Sequence, residues 1–140
     1  MRKVVVDASV AVKWFVPEIH AIAAARLLDP EIYLAAPDLI TSEFGNILWK
    51  KVRRREITRD EASEILTAFD SSGVETHASR GLLHAAFQLA VGLERTVYDS
   101  LYLALAVALE CPLITADARF HSAVASSGLG SHILWIEDAV

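Results

Sequence analysis

Short apolar runs that alternate with helical segments predict an α/β fold, a three-layer α/β/α sandwich around a central parallel five-stranded sheet. Three observations carry this expectation. Val4-Val5-Val6, Leu113-Ile114-Thr115 and Ile133-Leu134-Trp135-Ile136 are unbroken apolar runs, too short for helices and suited to strands covered on both faces. Helix-starting residues follow the first two of these runs. No repeat, low-complexity tract or linker divides the 140 residues, so residues 1–140 read as one domain with a real hydrophobic core.

The elements follow in order. Val4 to Val6 is the first strand. Asp7-Ala8-Ser9 opens a helical stretch through Phe15, closed by Pro17, and Ile19 to Leu28 fits a second helix before Pro30. Tyr33 to Ala35 is the next strand. Pro37-Asp38 starts a helix to about Arg54, with Ile40, Phe44, Ile47 and Leu48 on one face. Thr58-Arg59-Asp60-Glu61 is a capping box that opens a helix to about Asp70, and Ser72-Gly73 stops it. Val74 to Thr76 is a third strand, and Leu82 to Val91 a helix ended by Gly92. Thr96 to Leu109 is the strongest helix, so apolar that it must be buried, and Pro112 ends it. Leu113 to Thr115 is the fourth strand. Asp117 caps a helix from Ala118 to about Ser126, Gly128 to Gly130 turns the chain, and Ile133 to Ile136 is the last strand. Crossovers between parallel strands are expected to be right-handed.

Composition excludes several classes. An apolar content of 54% with 22% charged residues is that of a globular chain, not a disordered one. The helical apolar stretch Leu101 to Leu109 is under half the roughly 20 residues a bilayer needs. Met1-Arg2-Lys3 and the valines mimic a signal peptide, but Asp7 and Lys13 interrupt it, so a cytoplasmic protein is expected. The single cysteine, Cys111, permits no intrachain disulfide. A net charge of −5 argues against a nucleic-acid binder, yet Lys50, Lys51, Arg53, Arg54 and Arg55 fall within six positions.

Four acids carry the chemistry. Asp7 follows the first strand and Asp117 lies two residues beyond the fourth; ligands of such sheets bind outside the carboxyl ends of the strands. Glu43 and Asp99 lie near the starts of helices that begin at the same edge. Helix capping accounts for any one of them alone, and best for Asp99, whose spacing from Thr96 is that of a capping box. Taken together with their apolar neighbours, they pose a harder problem. Gathered buried carboxylates repel and take up protons unless a cation holds them. Oxygen ligands without a histidine or cysteine cluster favour Mg²⁺ or Mn²⁺ over zinc.

Four segments then resemble a known family: Val4-Val5-Val6-Asp7-Ala8-Ser9; Ser42-Glu43-Phe44-Gly45-Asn46-Ile47-Leu48; Tyr98-Asp99-Ser100-Leu101-Tyr102-Leu103-Ala104-Leu105-Ala106; and Leu113-Ile114-Thr115-Ala116-Asp117. In order, spacing and total length they resemble the PIN domain, and within it the VapC-type toxins of bacterial toxin–antitoxin pairs, over about residues 3 to 136. The resemblance implies Mg²⁺-dependent RNA cleavage by Asp7, Glu43, Asp99 and Asp117. It also implies strand order 3-2-1-4-5, a homodimer and an inhibitory antitoxin partner. Apolar helix faces in the N-terminal half are the expected dimer surface. Ser9 and Thr115 offer hydroxyls beside the acids that orient carboxylates or touch phosphate, with a helix N-cap the alternative for Ser9. Asn46, one turn after Glu43, either supports that carboxylate or simply packs.

Other residues are left with structural roles. His20, His77, His84, His121 and His132 show no ligand spacing, and Trp14, Trp49 and Trp135 read as core or interface. Arg54 is about 16 Å along the helix from Glu43, so the basic run suits the helix dipole, RNA backbone or an acidic antitoxin segment. A haloacid-dehalogenase-type phosphatase needs a second aspartate at position 9, which is Ser9, and a response-regulator receiver lacks its aspartate and lysine here. The remaining alternatives are a PIN nuclease of RNA processing without a toxin role and a PIN-like binding module that has lost its metal.

Overall fold

The computed structural model describes residues 1–140. Its centre is a parallel sheet in the order β3-β2-β1-β4-β5. The strands are β1 (Arg2–Val6), β2 (Ile32–Pro37), β3 (Glu75–His77), β4 (Leu113–Thr115) and β5 (Ile133–Trp135). Val4, Val5 and Val6 are all fully buried although neighbours along a strand face opposite sides. Both faces of β1 are therefore covered, which is why its sequence does not alternate.

The helices are α1 (Ala8–Ala11), α2 (Ala21–Ala25), α3 (Leu39–Arg53), α4 (Arg59–Asp70), α5 (Leu83–Leu93), α6 (Val97–Ala108) and α7 (Ala118–Ala125). The first two are shorter than their sequence suggests, because each tightens into a 3₁₀ turn, at Val12–Trp14 and Arg26–Leu28. Thr58 and Glu61 make both bonds of the capping box that starts α4. Gly92 does not end α5. The helix runs through it to Leu93 and stops at Glu94, which takes the left-handed conformation at φ 54°.

A core of valine, leucine, alanine and aromatic side chains joins the layers. Phe44, on the inner face of α3, stacks on Phe69 of α4 with centroids 4.1 Å apart and meets Phe15 edge-on at 5.9 Å. In α6 every residue from Ser100 to Ala106 is buried, and the helix packs on β1, β2, β4 and α5. This fixes where the first turn of α6 meets the sheet edge. No helix is long and apolar enough to cross a membrane.

The aromatic stack is the joint between α3 and α4. Phe44→Ala is expected to cost about 3–5 kcal/mol, read from the urea midpoint at constant slope. A cost under about 1 kcal/mol would mean that α3 is not held by this contact.

Candidate active site

The order 3-2-1-4-5 reverses direction between β1 and β4, which opens a crevice beyond their carboxyl ends. Val6 pairs with Ile114, so one step further along the same register Asp7 meets Thr115. The Thr115 hydroxyl donates to Asp7 Oδ2 at 2.7 Å and accepts from the Asp117 N–H at 3.0 Å. One buried hydroxyl thus ties the ends of two neighbouring strands. The other oxygen of Asp7 accepts from the Ser9 hydroxyl at 2.6 Å and the Val10 N–H at 3.1 Å. The Val10 bond is also the N-cap of α1, so capping and site-building share one carboxylate.

The four acids come from four elements and line one cavity of about 390 Å³, together with Ser9, Ser42, Asn46, Lys50, Tyr98 and Tyr102. Asp7 enters from the end of β1, Glu43 from the second turn of α3, Asp99 from the first turn of α6, and Asp117 from the N-cap of α7. Glu43 accepts from the Tyr102 phenol at 2.6 Å. Asp117 caps α7 by accepting from the N–H groups of Arg119 and Phe120.

Asp99 departs from the capping-box expectation. Thr96 does cap α6 by accepting from the Asp99 N–H, but the Asp99 carboxylate does not return the bond. It turns instead to Arg95, whose Nη2 donates to Asp99 Oδ2 at 2.9 Å. The same Nη2 lies 3.5 Å from Asp117 Oδ2, and the guanidinium sits over the Phe120 ring at 5.3 Å. Arg95 Nε is buried without a partner. As placed, no three His, Cys, Asp or Glu side chains are close enough to share one ion. The reason is visible: Asp99 and Asp117 face Arg95, Glu43 faces Tyr102, and Asp7 faces two hydroxyls.

The electrostatics follow burial. Desolvation pushes the Asp7 carboxyl up from 3.8 to about 6, against the three hydrogen bonds that lower it, and the charge of Asp99 adds to the rise. Burial also raises Glu43, with Asp99 again contributing and Tyr102 opposing. Burial and the Glu43 charge hold the Tyr102 phenol far above its usual range, so it remains a donor.

Sequence reasoning missed Arg95 and Tyr102. Each had a signal: Arg95 lies four residues before Asp99, the spacing of a helical ion pair, and Tyr102 three after it. The histidines stand apart from the cavity. His20 pairs with Glu137 at 2.6 Å, and His132 bonds the Cys111 carbonyl at 3.2 Å. Trp14 donates to the Ala24 carbonyl. Trp49 is 54% exposed, with the Arg53 guanidinium over its ring, so it is not a core residue.

The PIN domain model matches residues 4–125. The chain belongs to the PIN domain family. Ribonuclease VapC3 of Pyrobaculum aerophilum is 37% identical over 119 residues, which cover 84% of this chain and 91% of that protein. Ribonuclease VapC1 of Mycobacterium tuberculosis (strain H37Rv) is 34% identical over 125 residues, 88% of this chain and 92% of that protein. The crystal structure of PAE2754 from Pyrobaculum aerophilum superposes with a TM-score of 0.72 at 25% identity, covering 97% of this chain and 90% of that one. The order of the five strands is therefore that of a PIN fold, as the sequence implied, and the chain is of the VapC type within the family.

Burial of Asp7 has a measurable sign in this PIN protein. A carboxyl raised from 3.8 to about 6 binds its proton more tightly in the folded state. The contribution of Asp7 to stability is then greatest below pH 4, falls as pH rises to about 6, and is flat above. At about 1.4 kcal/mol per pH unit the loss approaches 3 kcal/mol. Asp7→Asn should remove that loss, so in EDTA the variant is the more stable protein at pH 7 and matches wild type near pH 4. Urea denaturation at both pH values checks this. Parallel pH profiles for the two proteins would mean that Asp7 is not desolvated.

Proposed function

We propose that the chain is a Mg²⁺-dependent endoribonuclease that hydrolyses RNA phosphodiester bonds and serves as the toxin of a toxin–antitoxin pair. One observation carries the proposal: four carboxylates from four separate elements converge on one cavity at the switch point of the sheet. Relatives that cover most of the chain are named VapC ribonucleases, and this supports the same reading.

The donor set suits a hard divalent ion. It is all oxygen, no histidine or cysteine lines the cavity, and burial opposes the charged form of Asp7, a cost that a cation would offset. Asp7 and Asp99, with Glu43 and Asp117, are the residues that would hold Mg²⁺ or Mn²⁺. A bound ion supplies Lewis acidity toward a phosphate oxygen and lowers the pKa of water. The chain's own groups do the rest. Ser9, Thr115 and the Val10 N–H fix both oxygens of Asp7. Tyr102 aims Glu43, and Asn46 presents an amide to the cavity one turn further along α3. Arg95 holds Asp99 and Asp117 as their counter-charge and must yield its place to a divalent ion.

The toxin role brings an antitoxin that delivers a basic side chain to this acidic cavity, a pairing that suits arginine's forked geometry. It also brings a cytoplasmic setting and a homodimer. For the dimer, Ile19 and Ile22 are exposed in the N-terminal half, but Leu83, Phe87 and Val91 form an exposed apolar stripe at spacing four along α5. That stripe is the better-formed surface.

The reaction is tested on a labelled RNA with end-group analysis. Attack by water needs no 2′-hydroxyl, so the products carry a 5′-phosphate and a 3′-hydroxyl. Asp99→Asn should lower cleavage by at least roughly 100-fold, more than the loss of a residue that only orients a ligand, with the fold retained. A 2′,3′-cyclic phosphate, or full activity in EDTA, would sink the reading.

Competition at the site is tested without turnover. In calorimetric titration with Mn²⁺, Asp7→Asn should abolish or greatly weaken binding. Arg95→Ala should tighten it roughly five-fold, equivalent to one ion pair of about 1 kcal/mol. Weaker Mn²⁺ binding by Arg95→Ala would mean that the guanidinium supports the metal-bound form rather than opposing it.

A further inference from the structure

Four residues of the basic run at the end of α3 divide in two, while Arg55 lines a separate groove. Lys51 is spent on structure: it pairs with Glu18 at 2.8 Å, and Lys13, almost fully buried, meets the same carboxylate at 3.3 Å. Lys50, Arg53 and Arg54 are exposed and in no ion pair. These three line a surface groove with Trp49. Lys50 also lines the acidic cavity, so groove and cavity adjoin at this side chain. Glu43, Asn46, Ile47, Lys50, Arg53 and Arg54 fall at helical spacing along α3. The stripe starts at a carboxylate and ends about 16 Å away among cations.

Trp49 is the second, independent observation. A large aromatic side chain that is 54% exposed loses the stabilisation that burial would give it. Its ring is instead held by the Arg53 guanidinium, 5.5 Å from the centroid. A positively charged groove with an aromatic face in it is the arrangement that binds single strands, phosphates on the cations and a base on the ring. An acidic peptide would use the cations but not the ring. On a chain of net charge −5, these free cations also sit beside the one cavity where a polyanion must be brought.

We propose that Trp49, Lys50, Arg53 and Arg54 form a track for single-stranded RNA that leads into the carboxylate cavity, with one unpaired base stacked on Trp49 and backbone phosphates on the three cations. This rests on the ribonuclease reading above and adds where the substrate lies. Trp49 then selects unpaired RNA, because in a duplex the base faces are already stacked.

The test is fluorescence polarisation of a labelled single-stranded RNA of about twelve nucleotides, in EDTA, with cleavage measured separately in Mg²⁺. Trp49→Ala should weaken binding roughly 5- to 150-fold, the worth of one base stack. Lys50→Ala and Arg53→Ala should each flatten the dependence of log affinity on log salt by about 0.7. Arg26→Ala, at a residue lining neither groove, should do neither, and Trp49→Ala should leave binding of the same sequence as a duplex unchanged. Circular dichroism and thermal melting confirm that each variant folds. If wild type binds and cleaves RNA and the track variants bind it equally well, the track is wrong and the ribonuclease reading stands. If wild type neither binds nor cleaves RNA, both fail. If the variants bind RNA normally but no longer bind polyglutamate that wild type holds, the groove is a docking face for acidic protein and the RNA assignment is overturned.

Discussion

The buried carboxylate of Asp7 is the constraint around which the site is arranged. It stands at the end of the central strand, where both faces of the sheet are covered and water is largely excluded. A charge in that position costs several kcal/mol unless it is hydrogen-bonded or paired. Two hydroxyls and one backbone N–H meet this demand. The Thr115 hydroxyl does so because the β1–β4 register brings it level with Asp7, so the parallel pairing and the satisfaction of the acid are one fact. The same hydroxyl receives the Asp117 N–H and so positions the start of α7.

Around this fixed acid the others are held by partners that differ in kind. Glu43 is aimed by a phenol that burial and the Glu43 charge hold well above its usual range, so it stays a hydrogen-bond donor. Asp99 and Asp117 are aimed by a cation from the chain itself. Arg95 is partly buried, stacked on Phe120 and left with one unbonded N–H, which marks it as a group placed for charge rather than for a complete set of hydrogen bonds. One guanidinium between two carboxylates offsets part of their mutual repulsion, at a site whose acidity pushes its own residues toward protonation.

The element sequence was legible because it rests on patterns carried by neighbours in the chain: unbroken valine runs, a capping box at Thr58, prolines and glycines between elements. The sheet order came only with the family resemblance. Asp7, Glu43, Asp99 and Asp117 were legible as a set because each follows a strand or opens a helix at one sheet edge, and because the segments around them resemble a family. Gly92 misled, since a glycine inside a helix that packs well costs only about 1 kcal/mol, and Glu94 took the left-handed conformation instead. Asp99 misled in part. Capping-box spacing says which bonds are in reach, and an arginine within reach is a stronger partner than a backbone N–H already facing solvent.

By itself the sequence determined which residues become strands and helices and that four acids share one edge. Periodicity and spacing encode these because they depend on backbone geometry within one element. Only the tertiary structure decided what each acid faces: Thr115 beside Asp7 from 108 residues away, Tyr102 on Glu43 from 59 residues away, and Arg95 between Asp99 and Asp117. It likewise divided the basic run, with a half-buried, ion-paired anchor at Lys51 and a free groove at Lys50, Arg53 and Arg54. Such pairings depend on which faces of separate elements meet, and that is set by the packing of the core rather than by any local signal.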